Sequence, residues 1–439
     1  MSAARTGFGA QLFRLLIGAL ILVSAAAQFA LVPVMPLYAR QLRLSGLEQG
    51  LVLGAIGIAA LAVSVPAGRL SDRFGPRRIT LAAGLVMAVA TAAQALAGDF
   101  PALFASRLVF GAGYGMVWTA GLCWLAGAAA GGPAALGASV TSAGVGGVAG
   151  PAASGVLVQH FGLAAPLLAT AAVFAAITAG LTVLQVTPGP AAPRVAGPLR
   201  LRALAADSDL AGAAAAVVTA GLSTGVCALL VPVLLHAAGA SAGQTGLVFA
   251  ISGILFAAGS GLTAAAGRRA VSLTVTAGGI AAMAAALSLA TVSTAPAALI
   301  VMLCLTTAAR SVLWTVSYPL AAEAGQGGAG VGAAVGLLNG IWAATAVLGP
   351  LGAAAAAGHL GARAAFGLTQ AACVVALAVT VTMAWRARRR RPTAVPAPRQ
   401  RAGREPARLT GPVSTRTRPG DEHPRRPGPH GGAVSDRRL

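Results

Sequence analysis

The sequence contains no lysine, so all 31 of its basic side chains are arginine. Acids are scarcer still, ten in 439 residues, and charged residues of both signs make up only 9% of the chain. A soluble protein of several domains carries about 25% charged residues, so that class is excluded. With 57% hydrophobic residues, the fitting class is an all-α polytopic membrane protein. Cysteine is sparse too: Cys123, Cys227, Cys304 and Cys373 stand singly in apolar runs without CxxC spacing. That pattern excludes a disulfide framework or a cysteine metal site and reads them as small buried apolar residues. No span carries paired carboxylates, HExxH or a Ser/His/Asp grouping, which argues against a membrane enzyme, and no GxxxxGK[ST] loop is present for ATP. No catalytic residue, metal or cofactor is expected.

What is present is a recurrence of apolar segments of about 20 residues, each able to cross ~30 Å of hydrocarbon. Twelve are read, at 14–38, 47–67, 79–97, 102–125, 134–158, 164–186, 209–235, 244–266, 271–292, 297–320, 330–356 and 363–385. Residues 11–30 have the form of a signal peptide, but the apolar run continues to Pro36 and further spans follow, so a retained first helix is expected. Before the tail, Arg5, Arg14, Arg69, Arg73, Arg77, Arg78, Arg194, Arg200, Arg202, Arg268 and Arg269 fall on one side of this topology. Arg40, Arg43 and Arg363 fall on the other. The positive-inside rule places both termini in the cytoplasm.

Residues 187–208 interrupt the pattern with Pro188, Pro190, Pro193 and Pro198 beside three arginines, and read as a cytoplasmic linker between six-helix halves, 1–186 and 209–385. The halves echo each other. Gly150-Pro151 with His160 and Gly162 recurs as Gly349-Pro350 with His359 and Gly361, and Arg107 in the fourth span has a counterpart in Arg310 in the tenth. Two parallel repeats mark one transporter architecture. Residues 386–439 hold fifteen of the arginines with few apolar residues, and are expected to be a disordered cytoplasmic tail lying near anionic lipid rather than on nucleic acid.

Three motifs carry chemistry. Gly68-x-Leu70-x-Asp72-Arg73-x-Gly75-x-Arg77-Arg78 is a cluster of charge between the second and third spans. Topology can account for Arg77 and Arg78, but an acid adds nothing to that rule, so Asp72 needs a role of its own. Gly68 and Gly75 are expected to allow tight turns and close helix approach, and Asp72 to accept from a helix N-terminus or an arginine. In the fourth span, Arg107-x-x-x-Gly111-x-Gly113-x-Gly115 puts Arg107, Gly111, Gly115 and Trp118 on one face. The arginine there is either on a functional pathway or snorkelling to the interface. In the fifth span, Gly146-Gly147-x-x-Gly150-Pro151-x-x-Ser154-Gly155 offers Gly146, Gly150 and Ser154 as a stripe for close packing, and Pro151 permits a bend.

With twelve spans around it, the first motif closely resembles the loop signature of the major facilitator superfamily, departing where Pro76 replaces a usual arginine. The equivalent loop of the second half, Gly267-Arg268-Arg269, lacks the acid. The resemblance implies twelve helices in two pseudo-symmetric halves, an Asp72 that ties the loop to the eleventh helix in the outward-facing state, and an Arg107 involved in proton transfer in proton-coupled relatives. The fifth-span motif resembles one found mainly in exporters that exchange substrate for protons. None of the ten acids falls in mid-membrane, however; Gln28 and Phe29 occupy the middle of the first span, and His160, His236 and His359 lie near outer helix ends. A strongly cationic substrate is disfavoured. Gln28, Tyr114, Trp118, Ser223, Thr224, Arg310, Trp314, Asn339 and Trp342 are the candidates to line a central cavity. The reading is a monomeric plasma-membrane exporter of a small, partly apolar solute by exchange with protons; the alternative is an importer or uniporter of a neutral or anionic metabolite without proton coupling. Asp72→Asn is expected to abolish most transport with the protein still in the membrane, checked by flux normalised to membrane content; full activity would remove the role given to Asp72.

Overall fold

The computed structural model describes residues 2–127, 133–184, 207–325 and 331–390. The expected linker, apart from Asp207 and Ser208, and the chain beyond Arg390 lie outside these residues. The helices are α1 (Ser2–Ala30), α2 (Met35–Leu42), α3 (Gly46–Phe74), α4 (Pro76–Ala95), α5 (Phe100–Met116), α6 (Leu122–Gly127), α7 (Pro133–Phe161) and α8 (Ala165–Val183), then α9 (Ser208–Ala237), α10 (Ala242–Ala265), α11 (Leu273–Val292), α12 (Pro296–Ala324), α13 (Val331–Leu360) and α14 (Ala362–Arg390). A π turn, Val117–Gly121, joins α5 and α6 into one continuous span.

Eleven helical segments among the described residues are long and apolar enough to cross a membrane. The fifth expected span is helical as α7 and packs between α1 and α10. The first expected span is not one helix. Pro33 and Pro36 lack the N–H groups that would continue α1, so the chain turns at residues 31–34 and restarts as α2. The outer surface is apolar: Leu85, Leu262 and Val375 are 59%, 75% and 65% exposed, as side chains facing lipid must be.

Span ends use the few acids there are. Glu48 forms a capping box with Ser45, Asp99 accepts from the Ala102 N–H at 2.8 Å, and Asp207 accepts from the N–H groups of Asp209 and Leu210. Each satisfies orphan donors of a first turn. Of the cysteines, Cys227 and Cys373 are buried, Cys304 is half-buried and Cys123 is exposed, so burial is not general to them.

The packing of residues 2–183 recurs in residues 208–390. α1 packs on α7 and α8, α3 on α5, and α4 on α5 and α8; correspondingly α9 packs on α13 and α14, α10 on α12, and α11 on α12 and α14. Two seams join the sets, α7 against α10 and α3 against α13. The Gly-Pro pairs build both. Gly150 lies so close to α1 that a Cβ there would strike the Ala26 backbone, and Gly349 stands likewise against Gly225 of α9. The next carbonyl turns the other way: Pro151 O lies against Gly246 of α10, and Pro350 O against Gly50 of α3. Each pair therefore fastens a helix to its own set by the glycine and to the other set by the proline carbonyl.

A Gly150→Ala substitution is expected to destabilise the protein by about 1–3 kcal/mol, since the new methyl has no room. Gly144→Ala, where a Cβ meets nothing within 4 Å, should be neutral or slightly stabilising. Thermal unfolding of the two purified variants checks this, and equal melting temperatures would contradict it.

Candidate functional site

The break in the first span leaves carbonyls of its last turn without continuing helix, and Arg107 supplies their donors. Its Nη2 donates to Gln28 O at 2.7 Å; its Nη1 donates to Ala27 O at 3.3 Å and to Gln94 Oε1 of α4 at 3.2 Å. A cation at a helix C-terminus also meets the negative end of the dipole. Arg107 is 1% exposed and lies over the Phe110 ring at 5.3 Å, so it does not snorkel. It ties α1, α4 and α5 together from within. Below it, Gly111 and Gly115 bring α5 onto α3, where added Cβ atoms would meet Ile56 Cα at 2.8 Å and Ala60 Cα at 3.2 Å, while Gly113 faces Met87 of α4.

A second group of residues gathers where the two sets face each other. Tyr114 stacks on Trp118 with centroids 5.8 Å apart, and Trp314 meets Tyr318 edge-on at 5.6 Å. The Tyr318 hydroxyl donates to Asn339 Oδ1 at 2.9 Å. Trp342 packs against the core that holds Tyr114 and also against the core around Val316 and Leu320. Beside them, Arg310 Nη1 donates to Thr224 Oγ1 at 2.8 Å, and Arg310 shares a small pocket with Ser223. Gln28 is half-buried, and it is its carbonyl, held by Arg107, that is engaged.

The charged run between α3 and α4 is not a loop. Gly68 to Phe74 are helical, α4 begins at Pro76, and only Gly75 lies between, at φ +86°. Gly75 supplies the turn. Gly68 does not: it is inside α3 with open space where a Cβ would stand. Arg77 Nη2 donates to the carbonyls of Thr182 at 2.9 Å and Leu184 at 3.3 Å, fastening the start of α4 to the end of α8. Arg73 lies over the Phe74 ring at 5.2 Å, and Asp72 is on the exposed last turn of α3. In α7, Gly146 and Gly150 face α1, while Gly155 meets Ala242 O of α10, and the helix runs through Pro151 uninterrupted.

Two participants, Gln94 and Tyr318, and the break at Pro33 and Pro36 were not anticipated from the sequence. Gln94, fully buried on Arg107, is a lone amide in a span, and such an amide in hydrocarbon needs a partner. Tyr318 follows Trp314 at i+4, which places it on the same helix face as that candidate. Pro33 and Pro36 gave a direct signal that the first span breaks.

The Major Facilitator Superfamily matches the chain over residues 17–323 and 212–420. The chain belongs to that family. Members of the family are transporters, not enzymes. MFS-type transporter ppzB of Metarhizium majus (strain ARSEF 297) is 34% identical over 166 residues, 37% of this chain and 36% of that protein. The arabinose-proton symporter of Bacillus subtilis (strain 168) is 38% identical over 73 residues, 17% of this chain and 16% of its own length. Quinolone resistance protein NorA of Staphylococcus aureus is 30% identical over 86 residues, 20% of this chain and 22% of NorA. The alignments thus span 36% or less of these relatives. A solved bacterial homologue of the human lysosomal transporter Spinster, in an inward-facing, unoccupied conformation, superposes with a TM-score of 0.72 over 86% of this chain and 97% of its own, at 15% identity. At that identity the likeness is one of fold.

Arg107→Met would leave the Gln94 amide oxygen buried without its partner and remove the side-chain hydrogen bonds to the Ala27 and Gln28 carbonyls of α1. A loss of about 1.5–3 kcal/mol is expected, read as a lower melting temperature, with Arg107→Lys intermediate. A variant as stable as the parent would contradict the capping role.

Proposed function

We propose that this family member is a secondary active exporter of a small, partly apolar solute, working by alternating access and exchanging the solute for protons. The observation that carries the reading is the cluster of Tyr114, Trp118, Trp314, Tyr318, Asn339 and Trp342, drawn from both sets of helices. It offers flat apolar faces with a few fixed polar groups, the usual make-up of a site for such a solute. Two six-helix halves rocking about that cluster account for the recurrence of packing.

The seams give a direction to the resting state. They run from Gln159, whose Nε2 donates to Ser241 Oγ at 2.7 Å, to Val148 against Gly253, and from Gly50 against Pro350 to Gly57 against Ala343. Along α7 that is about 16 Å. Beyond, Gly68, Gly144, Gly261, Gly336 and Gly340 have open space where a Cβ would stand. With both termini in the cytoplasm of a plasma-membrane protein, as the arginine distribution indicates, the outer face is closed and the cluster opens inward. Efflux is supported by the fifth-span motif and by the likeness to NorA, a quinolone resistance protein. Proton exchange rests on that motif, because Glu48, Asp99 and Asp207 serve as helix caps rather than as buried carriers.

Proteoliposomes loaded with a radiolabelled quinolone provide the test. Reversing the imposed pH gradient should reverse the direction of accumulation, and Trp342→Ala should reduce flux several-fold. Flux that ignores the gradient would remove the exchange and leave a uniporter.

A further inference from the structure

Arg107 and Arg310 both lie within membrane-spanning helices, and the fold treats the two differently. Arg107 has both terminal nitrogens on neutral oxygens, with three hydrogen bonds in all. Arg310 has fewer partners: of the five N–H donors of a guanidinium, those of Nη1 have one acceptor among the described residues, Thr224 Oγ1. The Nε of each is buried without a partner among the described residues. Phe256 lies under the group at 5.3 Å. No carboxylate is at hand, because residues 210–322 contain neither Asp nor Glu. Asp209 and Glu323 stand at the far ends of α9 and α12, each about 20 Å along its helix from Thr224 or Arg310.

Arg310 opens instead on a pocket shared with Ser223, Cys227, Leu303, Thr306 and Thr307, with room for about one water-sized group. The hydroxyls of Ser223 and Thr306 donate to carbonyls of their own helices, those of Ala220 and Met302. The Thr307 hydroxyl makes no hydrogen bond to a described residue, so a second donor faces the same space. Charge and donors without an acceptor are what an anion requires. One turn along α12 from Arg310 stands Trp314, and through it the aromatic cluster.

We propose that Arg310 and Thr307 form the head-group site for an organic anion, one carboxylate oxygen entering the pocket while an aromatic or apolar body lies on Trp314 and its neighbours. This names the substrate class of the site proposed above and rests on that reading for its link to transport, not for binding.

Isothermal titration of the purified full-length protein with benzoate, with its neutral isostere benzamide and with chloride tests the proposal. Benzoate should bind saturably, and benzamide and Arg310→Gln should each weaken binding by about ten-fold or more, as loss of a charged hydrogen bond does. Arg310→Lys should keep most of the affinity. Thr307→Val, which keeps shape, provides a second weakened variant should Arg310→Gln misfold. Equal affinities for benzoate and benzamide, an Arg310→Gln protein that binds benzoate as the parent does, or no measurable binding of benzoate would overturn the site. Chloride binding tighter than benzoate would overturn its assignment to an organic anion. Gradient-driven quinolone flux without Arg310-dependent benzoate binding would sink the anion site alone; the converse would sink the exporter reading alone.

Discussion

Backbone approaches backbone at two Gly-Pro pairs, and the rest of the structure is arranged around those approaches. In hydrocarbon there is no hydrophobic drive between helices, so close packing of small residues has to hold them together. Gly150 and Gly349 provide it within each set of helices, on α1 and α9. The carbonyls of Pro151 and Pro350 provide it between sets, on Gly246 and Gly50. The first contacts join helices within a set, whereas the second form seams between the sets in which glycine and alanine predominate. Two sets of like packing that meet along seams of small residues are suited to rocking of one against the other.

Charge is distributed to the same end. The acids are few and three of them cap helices where spans begin, so the membrane interior holds guanidinium groups without carboxylates. One, Arg107, is absorbed by the end of a helix that two prolines have broken, and becomes part of the frame. The other, Arg310, has one acceptor among the described residues, a threonine hydroxyl, and remains available. The difference between them is therefore one of surroundings, not of residue type.

Much of this was legible in the sequence. Hydropathy alone located the spans, because a helix in lipid must satisfy its backbone internally and present apolar side chains outward. The repeat of Gly-Pro with His160 and His359 announced the pairing that the packing displays, down to Gly162 and Gly361 at φ +84° and +85°. Contacts across helices were not legible. Whether Arg107 snorkels or is sealed depends on where Ala27, Gln28 and Gln94 stand, which no spacing along α5 discloses. Gly68 and Gly75 look alike in the motif, yet only Gly75 sits at the joint, because the helix end is set by Pro76 and not by the glycines.

The central claim is that the seams part while the packing inside each set persists. Distances between spin labels measure this directly. One pair at Phe161 and Leu247 reports on the closed end of the α7–α10 seam, and another at Leu70 and Gly336 reports on the open end between α3 and α13. On adding substrate or inverting the pH gradient, the first distance should lengthen as the second shortens, with a control pair on α4 and α8 unmoved. Distances that stay fixed, or that change together in the same sense, would contradict the account.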